Sequence, residues 1–100
     1  METEAFTRLI TSNQPVLVDF SAEWCEPCRL LKEIIQCLQA KQGGTLRVIN
    51  VDVDKQRNLS AQYAVQAVPT LMIFKNGRQL WRQSGLIRGE ELNKVIEIFR

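Results

Sequence analysis

The stretch Val16-Leu17-Val18-Asp19-Phe20-Ser21-Ala22-Glu23-Trp24-Cys25-Glu26-Pro27-Cys28 runs from a nearly continuous apolar segment into two cysteines three residues apart. Val16 to Phe20 has the composition of a strand covered on both faces. Beyond Cys28, Leu31, Ile34, Ile35 and Leu38 recur at i, i+3, i+4 and i+7, which predicts a helix with one apolar face. A strand therefore empties onto a helix N-terminus that carries two thiols. A helix end stabilises a thiolate, and one turn of spacing lets the second sulfur reach the first.

Working outward, Phe6, Leu9 and Ile10 sit at helical spacing and predict a short helix over residues 1–11, ended by Ser12-Asn13-Gln14-Pro15. The helix after Cys28 should stop at Gly43-Gly44. Leu46 to Val53 is rich in β-branched residues and reads as a strand. Asp54 is placed to cap a short helix over residues 55–64, with Leu59 and Tyr63 on its buried side. Thr70 to Phe74 is a third strand. Asn76-Gly77 demands two positive φ angles and predicts a hairpin, with residues 79–84 returning antiparallel up to Gly85. Glu90 and Glu91 open a last helix with Leu92, Val95, Ile96 and Phe99 on its apolar stripe. The order is α-β-α-β-α-β-β-α. Strands separated by helices are expected to be parallel, and the terminal hairpin to add an antiparallel edge. The fold class is thus α/β: a central mixed sheet with helices on both faces, in one domain spanning residues 1–100.

Composition narrows the function. The chain has 100 residues, 45% of them hydrophobic, and a formal net charge of +2. Acids and bases are interspersed, which argues against a nucleic-acid partner. No apolar run approaches the roughly 20 residues of a membrane span. The acidic start Met1-Glu2-Thr3-Glu4 has no signal-peptide character, so a cytoplasmic location is expected. There, a CxxC pair is more often catalytic or metal-binding than structural. The chain holds three cysteines and no histidine. A Cys–His nucleophile and mixed Cys/His zinc sites are excluded. A zinc site built from cysteines alone lacks a fourth thiol, and Cys37 lies nine residues beyond Cys28, about 13 Å along the helix. Only a metal shared between subunits would be left, so no metal is assigned. Buried space-filling thiols fit poorly at a helix N-terminus beside a proline.

Dithiol–disulfide exchange remains. Cys25, at the helix start and expected to be the more exposed, is the nucleophile. Cys28, one turn in and better covered, is the resolving thiol. Pro27 stiffens the loop, and Glu26 sets a negative charge beside the developing thiolate. Asp19 interrupts an apolar strand; its neighbours favour a buried carboxyl with a raised pKa over a solvent-facing one. Cys37 reads as a core or half-buried helix residue rather than a regulatory thiol. Trp24 is either packing or a contact surface. Pro69 is either a strand-start proline or a cis proline in a tight turn.

Taken together, Val18-Asp19-Phe20, Ala22-Glu23-Trp24-Cys25, the Cys-x-Pro-Cys-Arg core, Val51-Asp52-Val53-Asp54, Val68-Pro69-Thr70, Phe74-Lys75-Asn76-Gly77 and Gly85 resemble the thioredoxin family, from about Val16 to Phe99. The resemblance implies a thioredoxin-like fold with Pro69 cis and facing the sulfurs. It implies a groove in which Val68 offers its backbone to an extended partner peptide, rimmed by Trp24, Glu26, Pro27, Gly85 and Leu86. It also implies that Asp19 lies under Cys28 as proton acceptor. Four departures stand out. Glu26 replaces a usual glycine. Asn50 stands where a lysine is common near the buried aspartate, removing a charge partner. Glu33 replaces a kinking proline and predicts a straighter helix. The family's N-terminal strand has no counterpart, which leaves four strands with Leu46 to Val53 as an open edge.

The reading is a protein-disulfide oxidoreductase that reduces disulfide-containing protein substrates. It needs no bound cofactor and receives electrons from a separate reductase. The open edge makes it a monomer or a weak dimer. A disulfide oxidase or isomerase, and a non-enzymatic peptide-binding module, are the alternatives.

Overall fold

The computed structural model describes residues 3–100, so residues 1 and 2 of the helix expected over 1–11 lie outside the described residues. In chain order the elements are α1 (Thr3–Ile10), β1 (Val16–Ser21), α2 (Glu26–Lys41), β2 (Arg47–Asp52), α3 (Arg57–Gln62), β3 (Thr70–Lys75), β4 (Arg78–Ser84) and α4 (Gly89–Ile98). Among the described residues one sheet forms, of four strands in the order β2-β1-β3-β4.

β1 is interior because five of its six residues are buried apolar groups or Asp19, which no edge position would shield. Strand alternation divides its side chains between two cores. Leu17 packs with Leu71 and Ile73 beneath Leu31, Ile35 and Leu38 of α2 and Leu92 and Ile96 of α4. Val16, Val18 and Phe20 pack with Met72 and Phe74 against Phe6 and Ile10 of α1 and Leu59 of α3. Helices thus cover both faces, α2 and α4 on one, α1 and α3 on the other. By the same alternation Asp19 shares the face of Leu17, under α2. Trp81 of β4, opposite Ile73, packs against the α2/α4 core.

The sheet is mixed, but not as strand order alone suggests. β1 and β2 are parallel, with Val16 opposite Arg47 and Ser21 opposite Asp52. β3 is antiparallel to β1, with Thr70 opposite Phe20, although α3 separates it from β2. The expectation that helix-separated strands run parallel fails here for a reason of length. α3 has six residues and advances about 9 Å, against about 20 Å for a six-residue strand. The chain stays at the end where β1 and β2 finish and re-enters the sheet from there. The hairpin that follows is as expected: Asn76 and Gly77 have φ of 54° and 79°, and Lys75 pairs with Arg78.

Two further expectations are corrected. Asp54 does not cap α3, whose cap position is Gln56. The Asp52 carboxylate instead accepts the backbone N–H groups of Asp54 (2.9 Å) and Lys55 (3.2 Å), so the turn is stabilised one step earlier. Cys37 is exposed. The buried stripe of α2 is Cys28, Leu31, Ile35 and Leu38, and Cys37 falls one position off it. As expected, β2 is an edge of the sheet formed by the described residues.

Phe6 anchors α1. It is fully buried, with its ring 5.9 Å from Phe74 and 5.5 Å from Tyr63. Phe6→Ala is expected to cost about 3–5 kcal/mol, read as a lower urea midpoint at unchanged slope. A loss below 1 kcal/mol, on the order of a surface substitution, would mean that α1 is not part of the cooperative core.

Candidate active site

The strand β1 ends at Ser21, and the four residues after it deliver Cys25 to the cap position of α2. The turn closes with the Cys25 N–H on the Ala22 carbonyl at 3.2 Å. Pro27 lies in the first helical turn, where a missing N–H breaks no helical hydrogen bond. The Cys25 side chain then does what a serine or aspartate does at other helix starts: its Sγ accepts the Cys28 N–H at 3.2 Å. Cys25 and Cys28 are joined as a disulfide with Cα atoms 5.3 Å apart. The two residues are equally buried, each 4% exposed, so the expected difference in cover is absent. Burial does not tell the sulfurs apart; the amide does. A thiolate at Cys25 meets an N–H from the helix end, and Cys28 supplies that N–H.

Asp19 is 1% exposed, and its Oδ1 has no hydrogen-bond partner among the described residues. Burial pushes its carboxyl up from 3.8 to about 6, against the opposing pull of the Lys32 ammonium. The loss of a charge partner at Asn50 is therefore offset from another element. Asn50 does stand opposite Asp19 in the strand register, but the cation comes from α2, four residues past Cys28. Cys28 and Lys32 line one cavity of about 420 Å³ with Ser21, Ala22, Glu23, Arg29 and Asp52.

The residues expected to rim a peptide groove connect into one surface. Cys25 and Cys28 cluster with Ala22, and Val68 packs on them. The Val68–Pro69 bond is cis. The Pro69 carbonyl accepts the Gly85 N–H at 2.9 Å, which ties the loop after β4 to the one before β3. Gly85 has φ of 93°, which a side chain would strain. Leu86 beside it is 50% exposed and Trp24 is 71% exposed, both large apolar groups open to solvent. Trp24 and Val68 line a second hollow with Val53, Val65, Gln66 and Ala67. Glu26 and Pro27 are exposed beside the cysteines, and Glu26 forms an ion pair with Arg29 at 3.6 Å.

Two participants escaped the sequence reading. Asp54 accepts the Trp24 indole N–H at 2.9 Å and fixes the ring. Lys32 is the other; its signal was present as a basic residue one helical turn after the second cysteine. Among the described residues no three His, Cys, Asp or Glu side chains gather as a metal-ligand group, and no helix is long and apolar enough to cross a membrane.

Comparison with known proteins agrees with this geometry. A family model described as thioredoxin matches residues 1–98. The chain is similar to a thioredoxin of Rickettsia felis, 40% identical over 78 residues, covering 78% of this chain and 74% of that one. It is 36% identical to thioredoxin 1 of Chlorobaculum tepidum over 86 residues, 86% and 85% of the two chains. Among solved structures it resembles a mutant thioredoxin from Halobacterium salinarum NRC-1, with a TM-score of 0.89 at 31% identity over 99% of this chain and 86% of that one.

The buried carboxyl makes a stability prediction. The folded protein holds the Asp19 proton up to about pH 6, while an unperturbed carboxyl releases it at 3.8. In that window the native state binds more protons, so this group lowers stability as pH rises from about 4 to 6 and contributes a constant cost above. Asp19→Asn is expected to be more stable than the wild type by up to about 3 kcal/mol at about pH 8, with no such gain at about pH 3.5. Urea midpoints at the two pH values check this; a gain independent of pH would remove the buried charge as its cause.

Proposed function

The chain belongs to the thioredoxin family, oxidoreductases of dithiol–disulfide exchange, and on that premise we propose that it reduces disulfides in partner proteins, with Cys25 as nucleophile, Cys28 as resolving thiol and Asp19 as proton acceptor. The observation that carries the assignment is the Cys28 N–H directed at Cys25 Sγ. A cysteine at a helix N-terminus has a lowered pKa, as the handling of thiolates in this family's own active site exemplifies.

In the reduced protein the Cys25 thiolate attacks one sulfur of a partner disulfide. A Cys25–partner bond forms, the partner's S–S bond breaks and one partner thiolate leaves. Asp19 then takes the Cys28 proton. The Cys28 thiolate attacks Cys25 Sγ, the Cys25–Cys28 bond closes and the second partner thiolate departs. Two electrons have passed from the dithiol to the partner, and a separate reductase returns them. The partner segment lies extended along Val68 and Pro69, with its backbone on Val68 and its side chains against Trp24, Glu26, Pro27, Gly85 and Leu86. The support for that placement is the packing of Val68 on the cysteines and the Pro69–Gly85 hydrogen bond.

The proposed setting is the cytoplasm, where thiols are kept reduced and the reducing direction is favoured, and the proposed acting unit is one domain over residues 1–100. The open β2 edge supports a monomer that dimerises weakly. Antiparallel pairing of two β2 strands about their centre sets Arg47 of each against Asp52 of the other.

Cys25→Ser is expected to reduce insulin disulfide reduction to the uncatalysed level, and Cys28→Ser to accumulate a mixed disulfide visible on non-reducing gels. Unchanged activity in the first variant would overturn the enzymatic reading of Cys25, and free protein alone in the second would contradict the assigned roles. Equilibration with glutathione buffers is expected to give a potential below the cytosolic glutathione couple, about −220 to −260 mV by extraction. A value near that of a disulfide isomerase would make the protein an oxidase or isomerase.

A further inference from the structure

We infer that Lys32 is the positioning residue that keeps Asp19 ionised, because it stands one turn beyond Cys28 on α2, above the sheet face that carries Asp19, and lines the same cavity as Cys28. Its importance for turnover rests on the role of Asp19 as proton acceptor proposed above.

The assignment follows from what surrounds the carboxyl. Asp19 lies on the α2 side of β1, where its neighbours across the sheet are Leu71 of β3 and Asn50 of β2, neither charged. The acidic groups at the cavity are occupied. Asp52 accepts two backbone N–H groups, and Glu23 pairs with Lys55 at 3.2 Å. The other cation there is engaged as well: Arg29 pairs with Glu26 at 3.6 Å and donates to the Glu23 carbonyl at 3.1 Å. Lys32 has no contact ion pair among the described residues. Its charge opposes the burial that would otherwise hold the proton on Asp19 more tightly. Lys32 is itself exposed. An apolar stem with its ammonium in water acts on a buried carboxylate through space, and salt weakens it.

The consequence is kinetic. Only the ionised carboxylate can accept the Cys28 proton, so the rate of resolution follows the ionised fraction of Asp19 at a given pH. Without the ammonium, that fraction falls where Asp19 is half titrated and is unaffected well above its pKa.

Lys32→Met keeps the stem and removes the charge. Carbon-13 NMR titration of the Asp19 carboxyl and single-turnover resolution of a preformed mixed disulfide are the two readouts. The titration midpoint is expected to rise in the variant. A rise of one pH unit would take the ionised fraction at pH 6 from about half to about a tenth, a roughly fivefold slower resolution. The two rates should converge above about pH 8.5 and in high salt. Adding Asn50→Lys to Lys32→Met puts an ammonium opposite Asp19 from the strand side and is expected to return midpoint and rate toward wild type. An unmoved carboxyl titration in Lys32→Met overturns the inference. A titration that moves while resolution stays at the wild-type rate in Lys32→Met and in Asp19→Asn upholds the electrostatic assignment and removes the acceptor role from Asp19.

Discussion

A single hydrogen bond organises this site: the backbone N–H of Cys28 donated to the sulfur of Cys25. It exists because β1 ends close below the start of α2 and the intervening turn leaves Cys25 in the cap position. The first N–H groups of any helix lack intrahelical partners. Most chains satisfy one with a hydroxyl or carboxylate. Here a sulfur takes that place, so a bond that elsewhere only stabilises a helix end is positioned to stabilise a thiolate once the disulfide is reduced. The helix is long, from Glu26 to Lys41, and is held to the sheet by Leu31, Ile35 and Leu38. The donor is therefore fixed by the core and needs no reorganisation when charge develops on Cys25.

Against that economy stands a cost in the core itself. Asp19 occupies a position in β1 that an apolar residue would fill without penalty, under α2 and opposite Leu71. A buried carboxyl that is charged at neutral pH opposes folding, and one kept neutral accepts no proton. The surroundings hold it between these extremes, with desolvation raising its pKa and the ammonium of Lys32 restraining the rise. Stability and the proton transfer proposed for Asp19 thus make opposite demands on one residue, which shares its face of the sheet with the buried apolar groups Leu17, Leu31 and Leu71.

Much of this could be read from the chain before any coordinates. Asn76-Gly77 marked its hairpin because both positions need φ values that few residues adopt, and both have them. The nearly unbroken apolar run of β1 marked a strand covered on both faces, and the spacing in α2 marked a helix with one buried side. The two cysteines marked the chemistry because spacing and helix position together leave little else for them to do. What escaped has a common cause: it depends on the path of the chain in space. The direction of β3 follows from the shortness of α3, whose six residues are hard to delimit by pattern when the cap is not the expected Asp54. The exposure of Cys37 turns on one position of helical phase, about 100°. The cover of the two cysteines involves Val53 and Val68, both distant in sequence, which pack against the cluster they form with Ala22. The link from Lys32 to Asp19 joins a helix to a strand, and local pattern cannot pair them.

Glu26 raises the question of which electrostatic effect dominates between the two thiols. Its carboxylate follows Cys25 directly and would oppose a thiolate there. It is exposed, however, and already paired with an equally exposed Arg29. Charges in that setting are screened within a Debye length of about 8 Å at physiological salt. The Cys28 N–H acts at 3.2 Å on a sulfur that is nearly removed from water. Interactions strengthen as the local dielectric falls, so the buried dipole outweighs the solvated charge. Glu26 is then better placed to act on what approaches the site than on the sulfur beside it. It stands exposed directly after Cys25, as Trp24 stands exposed directly before it.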